Sequence, residues 1–155
     1  MSYHSTSADA SQSVTYPERT ELPQVKIYAD GSCMPNPGVG SWGAVLIHVA
    51  SGKQRCECGY IGDATNNTAE LIAAIEALKF LKIPCWVQLH SDSQWLILGA
   101  NGTNKRRKYH DLWQQLDELA QSHLIEWIWV KGHDLNPNNE RAHQLAEQGR
   151  NRRPS

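Results

Sequence analysis

The sequence predicts one α/β domain, a five-stranded mixed sheet flanked by helices, and three observations carry that reading. Three strand-like segments come first with no helix between them. Helices and strands then alternate to the end of the chain, and clusters of Gly, Pro and Asn separate the pieces. Consecutive strands joined by short turns pair antiparallel, as a meander, whereas strands joined through a helix run parallel to a neighbour.

Each element has its own signal. Residues 1–23 are rich in Ser and Thr without periodicity and read as a flexible tail. QVKIYAD (24–30) sets Val25, Ile27 and Ala29 against Lys26, Tyr28 and Asp30, the period-2 alternation of a strand, ending at Gly31. GSCMPNPGVG (31–40) is dense in turn residues and reads as an irregular loop. SWGAVLIHVA (41–50) and KQRCECGYIG (53–62) form a hairpin turning at Ser51-Gly52. NNTAELIAAIEALKFLKIP (66–84) is a helix, with Thr68 as N-cap, Leu71, Ile75 and Leu78 at helical spacing, and Pro84 as the stop. CWVQLHSD (85–92) is a fourth strand, SQWLILGA (93–100) a short helix stopped by Gly99, and DLWQQLDELAQS (111–122) another helix. LIEWIWV (124–130) is the fifth strand. PNNERAHQLAEQGR (137–150) is the closing helix, ended by Gly149, and RNRRPS (150–155) is a frayed basic end. The folded domain therefore spans 24–149.

Composition bounds the function classes. A chain of 155 residues with 40% hydrophobic and 20% charged residues buries a full core. The formal net charge of −1 means that any nucleic-acid face is local, since the chain is not basic overall. Six Trp against one Phe suit half-wet sites, where one or two can brace a ligand. Cys33, Cys56, Cys58 and Cys85 lack the density of a disulfide-stapled secreted domain and the spacing of a zinc site. They read as reduced thiols of a cytoplasmic protein. The sequence contains no apolar run of membrane-spanning length and no sign of an obligate protein partner, so a monomer away from membranes is expected.

Three acids stand out by position. Asp30 ends the first strand before a glycine, Glu70 lies in the first turn of a helix, and Asp92 ends the fourth strand between Ser91 and Ser93. Clefts of α/β proteins open outside the carboxyl ends of strands, where acids from separate segments can converge. Converging carboxylates repel one another unless a cation neutralises them, and oxygen donors suit Mg²⁺ or Mn²⁺. Two such ions serve phosphodiester hydrolysis. Spacing alone leaves open whether the three meet or are solvated ends of elements.

The blocks IYADGSCMPNPGVGSWGAVL, ATNNTAEL, HSDSQW, DLWQQLD and IEWIWVKGHDLNPNNERAHQLA, in this order, resemble the cellular type 1 ribonuclease H family over residues 24–149. The resemblance implies the ribonuclease H-like fold, which agrees with the element order above. It also implies endonucleolytic hydrolysis of the RNA strand of RNA–DNA hybrids by two metal ions, leaving 5′-phosphate and 3′-hydroxyl ends. It places Asp30, Glu70 and Asp92 on the metals, and His133, in Lys131-Gly132-His133, on a loop that moves protons and helps product leave. The family's fourth acid falls in a block N-E-R-x-D-x-L-A. Here the block reads Asn139-Glu140-Arg141-Ala142-His143-Gln144-Leu145-Ala146, so His143 takes the aspartate's place. Three readings stay open: His143 ligates metal directly or through water, Glu140 or Glu147 compensates, or the domain binds hybrids without cutting them. The lost charge favours weaker metal occupancy and a preference for Mn²⁺.

The resemblance also supplies the substrate face. Gly31, Ser32, Cys33, Asn36, Asn66, Asn67 and Gln94 would line the minor groove and read the 2′-hydroxyl, with Thr65 on a DNA phosphate. The bland reading of the asparagines is turn chemistry. Where bacterial relatives carry a long basic insertion, this chain has NGTNKRRKYH, so Lys105, Arg106, Arg107 and Lys108 would hold phosphates. Arg150, Arg152 and Arg153 can add to the grip. A different nuclease of the same fold has no reason to share DGSC-x-x-NPG and W-VKGH.

Overall fold

The computed structural model describes residues 18–132 and 136–154. Five strands and four helices follow the expected order: β1 (Gln24–Met34), β2 (Gly38–His48), β3 (Gln54–Ala64), α1 (Asn66–Leu78), β4 (Trp86–Ser91), α2 (Gln94–Ala100), α3 (His110–Ala120), β5 (Leu124–Trp129) and α4 (Pro137–Gly149). The sheet order is β3-β2-β1-β4-β5, with β1 antiparallel to β2, β2 antiparallel to β3, and β1–β4 and β4–β5 parallel. Parity along β1 sorts the layers. Val25, Ile27 and Ala29 join the core under α1 and α3, with Val87, Leu89, Leu71, Ile75 and Leu116. Tyr28 points to the other face, where Val45 and Ala142 bury it beneath α4.

Several boundaries differ from expectation, each for a tertiary reason. The segment 31–40 is not an irregular loop: β1 continues through Gly31–Met34 because β2 supplies a ladder partner at every step, from Val25↔His48 to Met34↔Val39. The turn is confined to residues 35–37. Thr65, not Thr68, caps α1: its Oγ1 accepts from the Thr68 backbone N at 3.1 Å, and the Thr68 Oγ1 accepts from the Thr65 N at 2.8 Å. Gly99 lies inside α2, because the Trp113 ring occupies the space where its side chain would be.

The termini of the domain are also better fixed than their composition suggests. Both expected tails are shorter than their composition implies: Arg19–Glu21 form a 3₁₀ turn, and Arg19 stacks over Trp86 and pairs with Glu126 at 2.9 Å. At the other end, Arg150–Arg152 form a 3₁₀ turn packed on β3. Residues 1–17 lie outside the described residues. Among those described, no helix is long and apolar enough to cross a membrane.

His123 closes the base of the sheet. It is buried, and its Nδ1 accepts the Cys85 backbone N–H at 3.1 Å. Burial pushes the ring's pKa below its usual 6.5, so the fold holds it neutral. The unfolded chain then binds the proton more readily, and this contribution to stability is lost as pH falls below about 6.5. His123→Gln keeps an acceptor without the titration. The stability gap between the parent and this variant should narrow between pH 7 and pH 5 in urea melts. A constant gap would remove the buried imidazole from the account.

Candidate active site

The site lies where β1 and β4 part. Their pairing ends at Tyr28↔His90, after which β1 continues beside β2 alone and β4 stops at Ser91. Asp30 stands in this gap on the α4 face of β1, in mid-strand rather than at its end, and is 4% exposed. Glu70 arrives from the opposite face on the second turn of α1. It gets there because Gly31 has no side chain: a Cβ at that position would overlap the Ala69 carbonyl carbon. The Gly31 N–H donates to Glu70 Oε1 at 2.5 Å, fixing one carboxylate oxygen. Asp92 follows β4 directly. Its backbone carbonyl accepts the Trp129 indole N–H at 3.1 Å, so the end of β5 steadies the end of β4.

The structure therefore brings together the three acids singled out in the sequence. Ligand atoms of Asp30, Glu70 and Asp92 all lie within 4.8 Å of one another. Burial and the charge of Asp92 push the Asp30 pKa up to about 6. Burial, then the charges of Asp30 and Asp92, push Glu70 well above the usual carboxylate range. Three crowded oxygen donors, two of them resisting ionisation, are what a divalent cation neutralises. The donor set fits a hard metal ion.

His143 joins the cluster from α4. Its Nδ1 lies 2.9 Å from Asp30 Oδ2 and its Nε2 lies 3.2 Å from Glu147 Oε1, one turn further along the helix. Burial works to lower its pKa, but the hydrogen bond and charge of Asp30, with Glu147 and Glu140, outweigh it and raise the value. Gly43 permits this approach, since a Cβ there would overlap the α4 backbone at Ala142 and Ala146. His133 lies outside the described residues.

The remaining residues divide. Asn36 Oδ1 accepts the Asn66 N–H at 3.1 Å, joining the β1–β2 turn to the start of α1. Among the described residues Tyr109 is the one non-glycine with positive φ, so left-handed backbone does not explain Asn36, Asn66 or Asn67. Gln94 opens α2 after the Ser93 cap. Cys33 is buried, and its thiol donates to the Pro35 and Ala64 carbonyls. Asn67 shares a concavity of about 480 Å³ with Lys105, Arg106, Arg107 and Lys108.

Arg106 behaves unlike its neighbours. Its guanidinium stacks over Trp113, donates to the Gly99 carbonyl and pairs with both oxygens of Asp117 at 2.6 and 2.9 Å. It anchors the loop, whereas Lys105, Arg107 and Lys108 are exposed. Sequence reasoning missed this because the partner lies 11 residues on, in α3. It also passed over Trp129, for which the only signal was an aromatic at the end of the last strand.

Known proteins share this architecture. The RNase H family profile matches residues 23–151. A ribonuclease H of Gluconobacter oxydans is 46% identical over 143 residues, covering 84% of this chain and 94% of the relative. The N-terminal RNase H domain of a Mycobacterium tuberculosis protein superposes with a TM-score of 0.72 at 27% identity, covering 83% of this chain and 94% of that one. LC11-RNase H1, solved with an RNA/DNA hybrid, has a TM-score of 0.73 at 22% identity, covering 82% and 96%, a likeness of fold. The chain belongs to the ribonuclease H family.

Proposed function

We propose that this chain is a type 1 ribonuclease H that cuts the RNA strand of RNA–DNA hybrids internally, leaving 5′-phosphate and 3′-hydroxyl ends. The observation that carries the reading is the convergence of Asp30, Glu70 and Asp92 within 4.8 Å, in a chain of this family. Asp30, Glu70 and Asp92 would hold Mg²⁺ or Mn²⁺, two ions with substrate present. Such ions supply the charge that activates a water and stabilises the leaving oxygen. The protein's own part is positioning: Gly31 fixes Glu70, and Trp129 fixes the backbone of Asp92.

The catalytic domain is residues 24–149, with Arg150 attached to it. Gly31, Ser32, the Cys33 backbone, Asn36, Asn66, Asn67 and Gln94 face the minor groove, where short polar groups distinguish the 2′-hydroxyl of RNA. Thr65 serves a DNA phosphate near the start of α1. Lys105, Arg107 and Lys108 hold backbone phosphates, and Arg106 keeps their loop in place. His133 serves proton movement and product release.

His143 acts as the fourth ligand, supported by its 2.9 Å contact with Asp30. A second reading gives that role to Glu147, which lies 3.2 Å from the other ring nitrogen. His143→Asp tests the first. Restored charge should strengthen Mg²⁺ binding about tenfold, read from the metal dependence of cleavage. Unchanged metal dependence would remove His143 as a ligand and leave Glu147→Gln as the variant to measure.

The function itself is tested with a labelled RNA–DNA hybrid beside single-stranded RNA and duplex DNA, in Mg²⁺ and in Mn²⁺. The expected result is cutting of RNA within the hybrid alone. Hybrid bound but uncut in both metals would make the chain a binding module.

A further inference from the structure

Helix α4 is fastened to β1 at two points. Seven residues separate His143 from Arg150, close to two helical turns, so both return to the same side of the helix. Two residues separate Asp30 from Ser32, so both share one face of the strand. His143 meets Asp30 at 2.9 Å, and the Arg150 guanidinium donates to Ser32 Oγ at 2.9 Å. The second contact depends on Gly149, where a Cβ would overlap the Gly59 carbonyl oxygen, so the helix end lies flush against the sheet.

The second fastening has unused capacity. A guanidinium carries five N–H donors, and Ser32 accepts one. The Arg150 Nε is buried without a partner among the described residues, and both Arg150 and Ser32 are half-buried rather than enclosed. The Ser32 hydroxyl, accepting from Arg150, keeps its own proton to donate. A fixed cation and a hydroxyl therefore stand side by side, one strand step outward from the acidic cluster. Their chemistry matches a phosphodiester oxygen: the planar fork of Arg suits phosphate, and a pre-ordered side chain loses little freedom on binding it.

We propose that Arg150, held by Ser32, binds a backbone phosphate of the hybrid beside the Asp30 cluster. The proposal rests on the hybrid being the substrate and adds to that face a residue from the chain's last turn.

The test measures hybrid binding in EDTA across a salt series, together with steady-state cleavage, for the parent, Arg150→Ala and Arg150→Lys. Lys82→Ala, before β4 at the opposite end of the sheet, controls for loss of one positive charge. Arg150→Ala should raise the hybrid Kd and KM about five- to tenfold with kcat little changed. It should also reduce the slope of log K against log salt by about 0.9, the signature of one lost phosphate contact. Arg150→Lys should keep the slope, and Lys82→Ala should match the parent. A lowered Tm with unchanged KM and salt slope would make Arg150 a purely structural tether and overturn the proposal, while parental cleavage left the hybrid reading intact. A parent that neither binds nor cuts hybrid would overturn both.

Discussion

Asp30→Asn should lose RNA cleavage by about a thousandfold or more, in Mg²⁺ and Mn²⁺ alike, while melting at a higher temperature than the parent in metal-free buffer. The amide keeps the size of the carboxylate but removes its charge from the centre of the cluster. Asp30 is the member that touches both the other acids' field and His143, so no neighbour replaces it. The gain in stability follows from the same geometry. Burial and Asp92 hold the Asp30 pKa at about 6, above its usual 3.8. The folded state thus binds the proton more readily than the unfolded one, and stability falls as pH rises through that interval. Above it, the ionised carboxylate opposes folding by about 3 kcal/mol, with the favourable His143 contact already counted. Function here is held at a cost in stability. Parallel cleavage assays and melts in EDTA at pH 7.5 check both halves. Residual cutting near the parental rate, or a lower melting temperature, would contradict the argument.

The sequence displayed the site better than it displayed its surroundings. Period-2 alternation over 24–30 put Asp30 on the face opposite the core, and that is where α4 and His143 meet it. Acids next to strand ends and a helix start are local features, readable one segment at a time. What escaped were pairings between distant segments. Gly31–Met34 has turn composition, and only the ladder with β2 keeps it extended. Arg106 sits in a basic run whose charge suggests phosphate, yet Asp117 and Trp113 claim its guanidinium. Arg19 and Arg150 lie in segments with tail composition and are ordered by Glu126 and Ser32 across the fold. Charge runs and terminal polarity indicate exposure on average, and a single arginine with a specific partner breaks that average without a local signal.

Gly31→Ala should damage both stability and chemistry, although the residue has no functional group. Its parity on β1 directs any side chain toward α1, where the Ala69 carbonyl carbon and the Glu70 nitrogen occupy the space. Ala69 is fully buried, and the obstacle is backbone, so no rotamer change relieves the overlap. Helix α1 must move away from β1, at a cost of about 1–3 kcal/mol or more. The movement separates Glu70 from Asp30 and Asp92 and stretches the bond from the Gly31 N–H to Glu70 Oε1. A displacement near 1 Å at reacting groups costs about a hundredfold in rate, and that is the loss expected in kcat. Glu70→Gln provides the contrast. It should lose activity while keeping or raising Tm, because it removes a buried charge that Asp30 and Asp92 repel. If Gly31→Ala retained the parental Tm and kcat, α1 would tolerate a wider gap than this packing allows, and the glycine would owe its place to something other than the approach of Glu70.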